Sequence, residues 1–176
     1  MKTGPGRVTT MLKHVGAVLL LPFNVTIVIP GIILYATRSI KIGWGIYRPL
    51  NLVPTLLGIL LICIGLALMY KTISLLARIG KGTLAPWDPT QKLVVHGIYR
   101  HVRNPMISGV SCILLGEAVL VGSVPLLIWF AVFFVLNLIF IPLFEEPNLE
   151  ARFGDEYRRY KENVPRWLPR LKPWEG

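Results

Sequence analysis

Long stretches without charged side chains dominate the pattern of hydrophobic and polar positions along this chain. Residues 14–37, 49–70 and 118–144 contain no Asp, Glu, Lys or Arg, and a shorter run, 104–116, continues past a lone Glu117. A helix needs about 20 apolar residues to cross a bilayer, more than most soluble core helices present. The pattern therefore predicts an all-α integral membrane protein with about four transmembrane helices.

The third and fourth of these spans should form a helical hairpin. From Asn104 to Phe144 the chain carries one charge in 41 residues. Near the middle, Gly122, Ser123 and Pro125 supply residues that favour a turn. We therefore expect two antiparallel spans joined by a short connection.

The first two spans, roughly Val15–Tyr35 and Leu50–Tyr70, are typical of a packing scaffold. Gly58 and Gly65 in the second span would allow a neighbouring helix to approach closely. The N-terminal apolar run is longer than the core of a signal peptide, so we expect it to remain as the first span.

Composition and charge support a membrane location and suggest an orientation. The 176 residues are 53% hydrophobic and carry a net charge of +10. Of the 19 Lys and Arg residues, 16 precede the first span, lie in the second loop or follow the last span, which places both termini in the cytoplasm by the positive-inside rule. We expect a cell-membrane protein whose charge attracts anionic lipid headgroups, without a nucleic-acid partner.

The segment after the fourth span predicts an amphipathic C-terminal helix. Leu149, Phe153, Tyr157, Tyr160 and Val164 are spaced by four, four, three and four residues, which places them on one face. Prolines at 165 and 169 should end this helix. It would rest on the bilayer surface, and it could also cover a pocket.

Polar chemistry is concentrated where the third span begins. Arg103 precedes Asn104 and could hold an oxyanion through its guanidinium, or it could only snorkel to the membrane surface. Tyr99 offers an aromatic face and a hydroxyl to a ligand. His96 and His101 have no third ligand at metal-binding spacing, so no metal site is expected.

A pair of carboxylates stands where the fourth span ends. Glu145 and Glu146 follow 27 uncharged residues, a costly position unless a cation compensates. That cation could be a bound ammonium or sulfonium, or a basic side chain such as Arg152. Glu117, inside the third span, either has a function or snorkels toward the nearby end of the hairpin.

Two segments, LVVHGIYRHVRNP at 93–105 and EEPNLEARFGDEYRRYKENVPRWLP at 145–169, resemble a family of membrane methyltransferases. The family includes isoprenylcysteine carboxyl methyltransferase and the phospholipid N-methyltransferases. The resemblance covers about residues 80–170 and implies a cofactor-binding catalytic region there, beside a two-span scaffold at 1–79, within a single domain.

The resemblance also implies the site. S-adenosylmethionine would be the cofactor, and Glu145 would hold its amino group. From their positions and chemistry, we expect Arg103 and Glu146 to be the catalytic residues. Further cofactor contacts would fall on Gln91, Leu93, Val94, Gly97, Tyr99, Asn104, Pro105, Met106 and Ile107. The family usually has His where this chain has Asn104, and Tyr where it has Ile107. The prenylcysteine enzymes have Arg where this chain has Ile141.

The leading hypothesis is methyl transfer to a lipophilic substrate that enters from the bilayer, as in isoprenylcysteine carboxyl O-methylation. The first alternative is N-methylation of a phospholipid or another amine. An amine would have to lose a proton first, for which Glu146 or His101 is a candidate base, whereas a carboxylate is already ionised. An NADPH-dependent membrane reductase and a non-catalytic membrane scaffold are further alternatives.

Overall fold

A computed structural model describes residues 19–37, 44–45, 50–80 and 91–176. Within these ranges all regular structure is helical, as predicted, and no strand occurs. Val15, where we expected the first span to begin, and residues 81–90 lie outside the described residues. The α-helices are α1 (Ile29–Thr37), α2 (Leu52–Leu75), α3 (Pro105–Val121), α4 (Val124–Phe140), α5 (Glu146–Phe153) and α6 (Asp155–Asn163), with π-helical segments at Leu19–Val28, Leu76–Gly80 and Ile141–Glu145 and a 3₁₀ turn at Gly97–Arg100.

Two helical stretches in the described part are long and apolar enough to cross a membrane. They are Leu52–Ile79, with 28 residues, and Val124–Phe153, with 30. Many of their apolar side chains face outward; Leu136 and Phe144, for example, are 58% and 61% exposed. Exposure on this scale suits contact with lipid chains. Two shorter apolar helices, Pro22–Thr37 and Pro105–Val121, correspond to the other predicted spans.

Close backbone contact joins α2 to α3, the most extensively packed pair of helices. Gly58 faces Gly116, and Gly65 faces Gly109, so the two antiparallel helices meet at two points seven residues apart. A Cβ atom added to Gly65 would lie 2.5 Å from the carbonyl oxygen of Gly109, and one added to Gly116 would lie 2.8 Å from that of Gly58. The predicted role of Gly58 and Gly65 in close helix approach is therefore confirmed.

The predicted hairpin is formed by α3 and α4. Gly122 adopts a left-handed conformation with φ of 71°, which favours glycine, and its amide donates to the carbonyl of Ala118. Ser123 then leads directly into α4. Across the bundle, the indole nitrogen of Trp129 in α4 donates to the carbonyl of Val25, so the first helical segment packs on the hairpin.

The C-terminal segment differs from the single amphipathic helix that we predicted. A π-turn at Ile141–Glu145 joins α4 to α5, and the helix then breaks at Gly154 before α6. Gly154 has φ of 56° and ψ of −132°, a conformation that L side chains rarely adopt. The predicted apolar face nevertheless assembles: a buried cluster of Tyr157, Tyr160 and Val164 packs against Leu93, Val95, Leu149, Phe153 and Trp174.

The glycine contacts predict that Gly65→Ala destabilises the protein. The new methyl group would collide with the backbone of α3, which cannot move as a flexible side chain can. We expect a loss of about 1–3 kcal/mol in the free energy of unfolding, measured in detergent. Gly31→Ala is the control, because an added Cβ meets no atom within 4 Å there. Equal stability of the two variants would contradict the proposed packing.

Candidate active site

The two polar edges predicted from the sequence meet at one end of the helices. Nη1 of Arg103, just before α3, lies 2.7 Å from Oε1 of Glu146 at the start of α5. Both side chains are largely buried, with 9% and 3% exposed. The end of α4 and the beginning of α3 are therefore held side by side.

Glu146 is surrounded by cations. Besides Arg103, Nε of Arg166 lies 2.7 Å from Oε1, and Nζ of Lys161 lies 3.4 Å from Oε2. The uncharged part of the long helix ends at Phe144, so this cluster lies at the boundary of the span and not inside it. Burial opposes ionisation of Glu146, but the Arg166 hydrogen bond and the three positive charges outweigh it and lower its pKa.

Arg103 also fixes the chain that follows α6. Its Nε donates to the carbonyl of Val164 at 2.8 Å, and its backbone amide donates to Pro165 at 2.9 Å. Nη1 is also 3.5 Å from the hydroxyl of Tyr157. The guanidinium therefore binds the turn before α3, the start of α5 and the C-terminal tail together.

The C-terminal tail, residues 164–174, continues along the turn as a strap. His101 and Arg170 are joined by two hydrogen bonds, from the amide of Arg170 to the carbonyl of His101 and from Nδ1 of His101 to the carbonyl of Arg170. Arg100 and Trp174 are joined in the same way. These bonds give the backbone carbonyls of Arg100 and His101 hydrogen-bond donors that no neighbouring helix or sheet supplies.

Tyr99 is bound to the buried C-terminal cluster through its backbone. Its carbonyl accepts a 2.7 Å hydrogen bond from the hydroxyl of Tyr160, which is buried in the C-terminal cluster. Burial raises the pKa of Tyr99, and the negative charge of Glu145 raises it further. The Tyr99 hydroxyl is therefore a neutral group close to Glu145.

Glu145 differs from its neighbour although the two are adjacent. Its side chain is half-buried, and no described residue donates a hydrogen bond to it or forms an ion pair with it. Burial, followed by the charge of Glu146, raises its pKa. A carboxylate in this position is an acceptor without a donor, which suits a cationic ligand.

The remaining predicted cofactor residues surround the turn. Gln91 is exposed, Val94 is buried, and Leu93 packs on the C-terminal cluster. Gly97 opens the 3₁₀ turn with φ of 56°. Asn104 precedes α3, whose first three residues are Pro105, which is buried, and Met106 and Ile107, which are half-buried.

Sequence reasoning missed most of the groups that support this arrangement. The sequence suggests Arg152 or other cytoplasmic bases as partners for the acidic pair, whereas the structure places Arg166 and Lys161 beside Glu146. The tail after Pro165 had been given no role. The only available signal was the repeated spacing of prolines at 165, 169 and 173, which prevents a helix and favours an extended segment.

Glu117 is partly buried within α3. Its Oε2 atom is inaccessible to solvent and has no hydrogen-bond partner among the described residues. One carboxyl oxygen of Glu117 is therefore held inside the helical bundle. That Glu117 either has a function or snorkels toward the end of the hairpin stays a prediction.

The Glu146 cluster predicts that Glu146→Gln destabilises the protein. Neutral glutamine would leave Arg103 buried without a counter-charge, at a cost of about 3 kcal/mol. Thermal unfolding in detergent at neutral pH measures the loss, and the exposed Glu156→Gln is the control. Folding lowers the pKa of Glu146, so the stability that its charge contributes is lost as the pH falls through the folded-state pKa. The difference in unfolding temperature between the unaltered protein and the variant should therefore shrink in acid. A difference independent of pH would contradict this account.

Comparison with known proteins places the chain in a family. The family model for phospholipid methyltransferase matches residues 53–156, more than half of the chain. The match includes α2, the hairpin, Arg103 and both carboxylates.

A short stretch is also similar to an uncharacterised protein of Haemophilus influenzae. The two are 71% identical over 24 residues, which is 14% of this chain, and the match spans 38% of the length of that protein. By the family match, the chain belongs to the phospholipid methyltransferase family of membrane methyltransferases.

Proposed function

We propose that this protein transfers a methyl group from S-adenosylmethionine to a lipophilic acceptor that reaches the site from the bilayer. The observation that carries the proposal is Glu145, a half-buried carboxylate without a described partner at the end of an apolar helix, whose charge acts on Tyr99. The family match supports methyl transfer as the type of reaction.

The residues present fit this cofactor. S-adenosylmethionine carries an ammonium and a sulfonium, and when bound it supplies an electrophilic methyl group. Glu145 would hold the amino group, while the first residues of α3 and Tyr99 would line the remainder of the site. Arg103 is bound to Glu146, so that Glu145 and not Glu146 remains available to a cation.

We assign Arg103 and Glu146 a positioning role in this site. Their ion pair holds the turn that carries Tyr99 against the helix that carries Glu145. Our prediction that they also act directly in catalysis remains a prediction.

The state of Glu146 bears on the acceptor. A carboxylate whose pKa is lowered by three cations is a weak proton acceptor, which favours an acceptor that is already ionised, such as a carboxylate. His101 is the candidate base for the alternative, an amine such as that of a phospholipid. Its Nδ1 donates a hydrogen bond to the carbonyl of Arg170, so Nε2 is the ring nitrogen that would accept a proton from an amine.

We further propose a four-span arrangement in the cell membrane with both termini in the cytoplasm. The two long apolar helices and the two shorter ones support four spans. The uneven distribution of Lys and Arg supports the orientation. The site would then open to the cytoplasm, where the cofactor is available.

Glu145→Gln should weaken cofactor binding with little effect on folding. Replacing the carboxylate by an amide removes the charge that faces the ammonium, and we expect affinity to fall roughly tenfold or more. Calorimetric titration with S-adenosylhomocysteine, which retains the amino group, measures this effect. Glu156→Gln, an exposed change of the same kind, is the control, and equal affinity in both variants would remove Glu145 from the proposed site.

The acceptor class can be determined by incubating the purified protein with total lipid extract and methyl-labelled S-adenosylmethionine. We expect label in the lipid fraction. A carboxyl methyl ester releases labelled methanol in base, whereas an N-methyl group survives, so alkaline treatment separates the leading function from its alternative. Absence of label, together with oxidation of NADPH in the same extract, would replace the proposal with a reductase.

A further inference from the structure

A groove of about 800 Å³ lies on the cytoplasmic side of the proposed arrangement, between the end of α2 and the turn before α3. One wall is formed by the end of α2 and the π-helical segment after it, and the other by Gly97, Ile98, Arg100, His101 and Pro173. Neither Glu145 nor Tyr99 lines it. Gly97 is the one predicted cofactor contact that also lines the groove, so the groove adjoins the proposed cofactor site without containing its acidic group.

Basic side chains line both walls of this groove. Lys71 and Arg78 come from the α2 side, and Arg100 and His101 come from the turn. None of the lining residues is acidic. Ser74, one turn after Lys71, adds a hydroxyl donor to the same face.

The charges of this groove are available to a ligand. Lys71 and Arg78 are exposed, and no described acidic residue forms an ion pair with either. Arg100 is 4.0 Å from Glu175, whose side chain is 87% exposed, so solvent screens that contact. Around Glu146, by contrast, the basic groups surround a buried counter-charge.

The helix dipole alone does not account for this arrangement. Cations are stabilised in the last turn of a helix, and the helix dipole would therefore explain Arg78 but not Lys71, two turns earlier. It does not explain Arg100 and His101, which belong to the opposite wall and are held in place by the C-terminal tail. Basic side chains that converge from two elements favour an anion between them.

The position of the groove points to a lipid headgroup. The α2 helix changes from uncharged residues to Lys71 at this level, where it would leave the hydrocarbon. Tyr70 and Leu75 supply apolar surface beside the basic groups. Phosphate groups of lipids lie at the same depth as such a boundary, and Lys and Arg bind them strongly.

We propose that this groove binds the phosphate group of an anionic membrane lipid. The site does not depend on methyl transfer, so it can be present whether or not the proposed function is correct. A free phosphate ester would offer the same chemistry, and the experiment must separate the two sources.

The test uses the full chain purified into phosphatidylcholine nanodiscs with and without one-fifth phosphatidylglycerol. Native mass spectrometry counts the phosphatidylglycerol molecules retained after release. We expect the double variant Lys71→Gln, Arg78→Gln to retain this lipid roughly 30-fold more weakly than the unaltered protein, because it loses the attraction of two basic groups to the anionic headgroup. The double variant Arg158→Gln, Arg159→Gln makes the same change in charge at two exposed positions of α6 that do not line the groove, and it should match the unaltered protein.

A second arm adds inorganic phosphate to the protein in phosphatidylcholine alone. A rise in melting temperature in the unaltered protein, absent from the groove variant, would support phosphate binding but assign it to a free ligand. No rise, combined with selective retention of phosphatidylglycerol, supports the lipid. Equal retention in the groove variant and the control variant, with no effect of phosphate, would overturn the proposal. Melting temperatures of both variants in phosphatidylcholine confirm that they are folded.

Discussion

The ion pair between Arg103 and Glu146 is the constraint on which this end of the molecule depends. It joins the turn before the hairpin to the end of the hairpin, 43 residues away in sequence. The same guanidinium binds the C-terminal tail through Val164. Removing both charges from water is costly, and the cost is met here by multiple charge-assisted hydrogen bonds in a fixed geometry.

Two adjacent carboxylates have pKa values shifted in opposite directions. The cations around Glu146 lower its pKa, whereas burial and then the charge of Glu146 raise that of Glu145, which has no described donor. Carboxylates whose environments separate their pKa values are a recurrent feature of sites with divided roles. Here one carboxylate holds the fold together, and the other remains open to a positively charged ligand.

Much of the fold could be predicted because the bilayer imposes a simple pattern on sequence. Uncharged runs located the long helices, and Gly58 and Gly65 indicated where α2 and α3 meet. The break at Gly154 was missed because the spacing of apolar residues from Leu149 to Val164 fits a continuous helix equally well. The partners Lys161 and Arg166 could not be identified, since several bases in the tail have similar spacing and only the three-dimensional path selects among them.

The turn at residues 97–103 has two sides, and the C-terminal tail fixes both. Tyr99 and Arg103 lie toward the acidic pair, while Arg100 and His101 line the basic groove. Because the tail binds Arg100, His101 and Arg103 at successive points, a shift of the turn on one side must move the other. A lipid phosphate held in the groove would therefore stabilise the same backbone that places Tyr99 beside Glu145, and this link makes the turn the common support of both proposed sites.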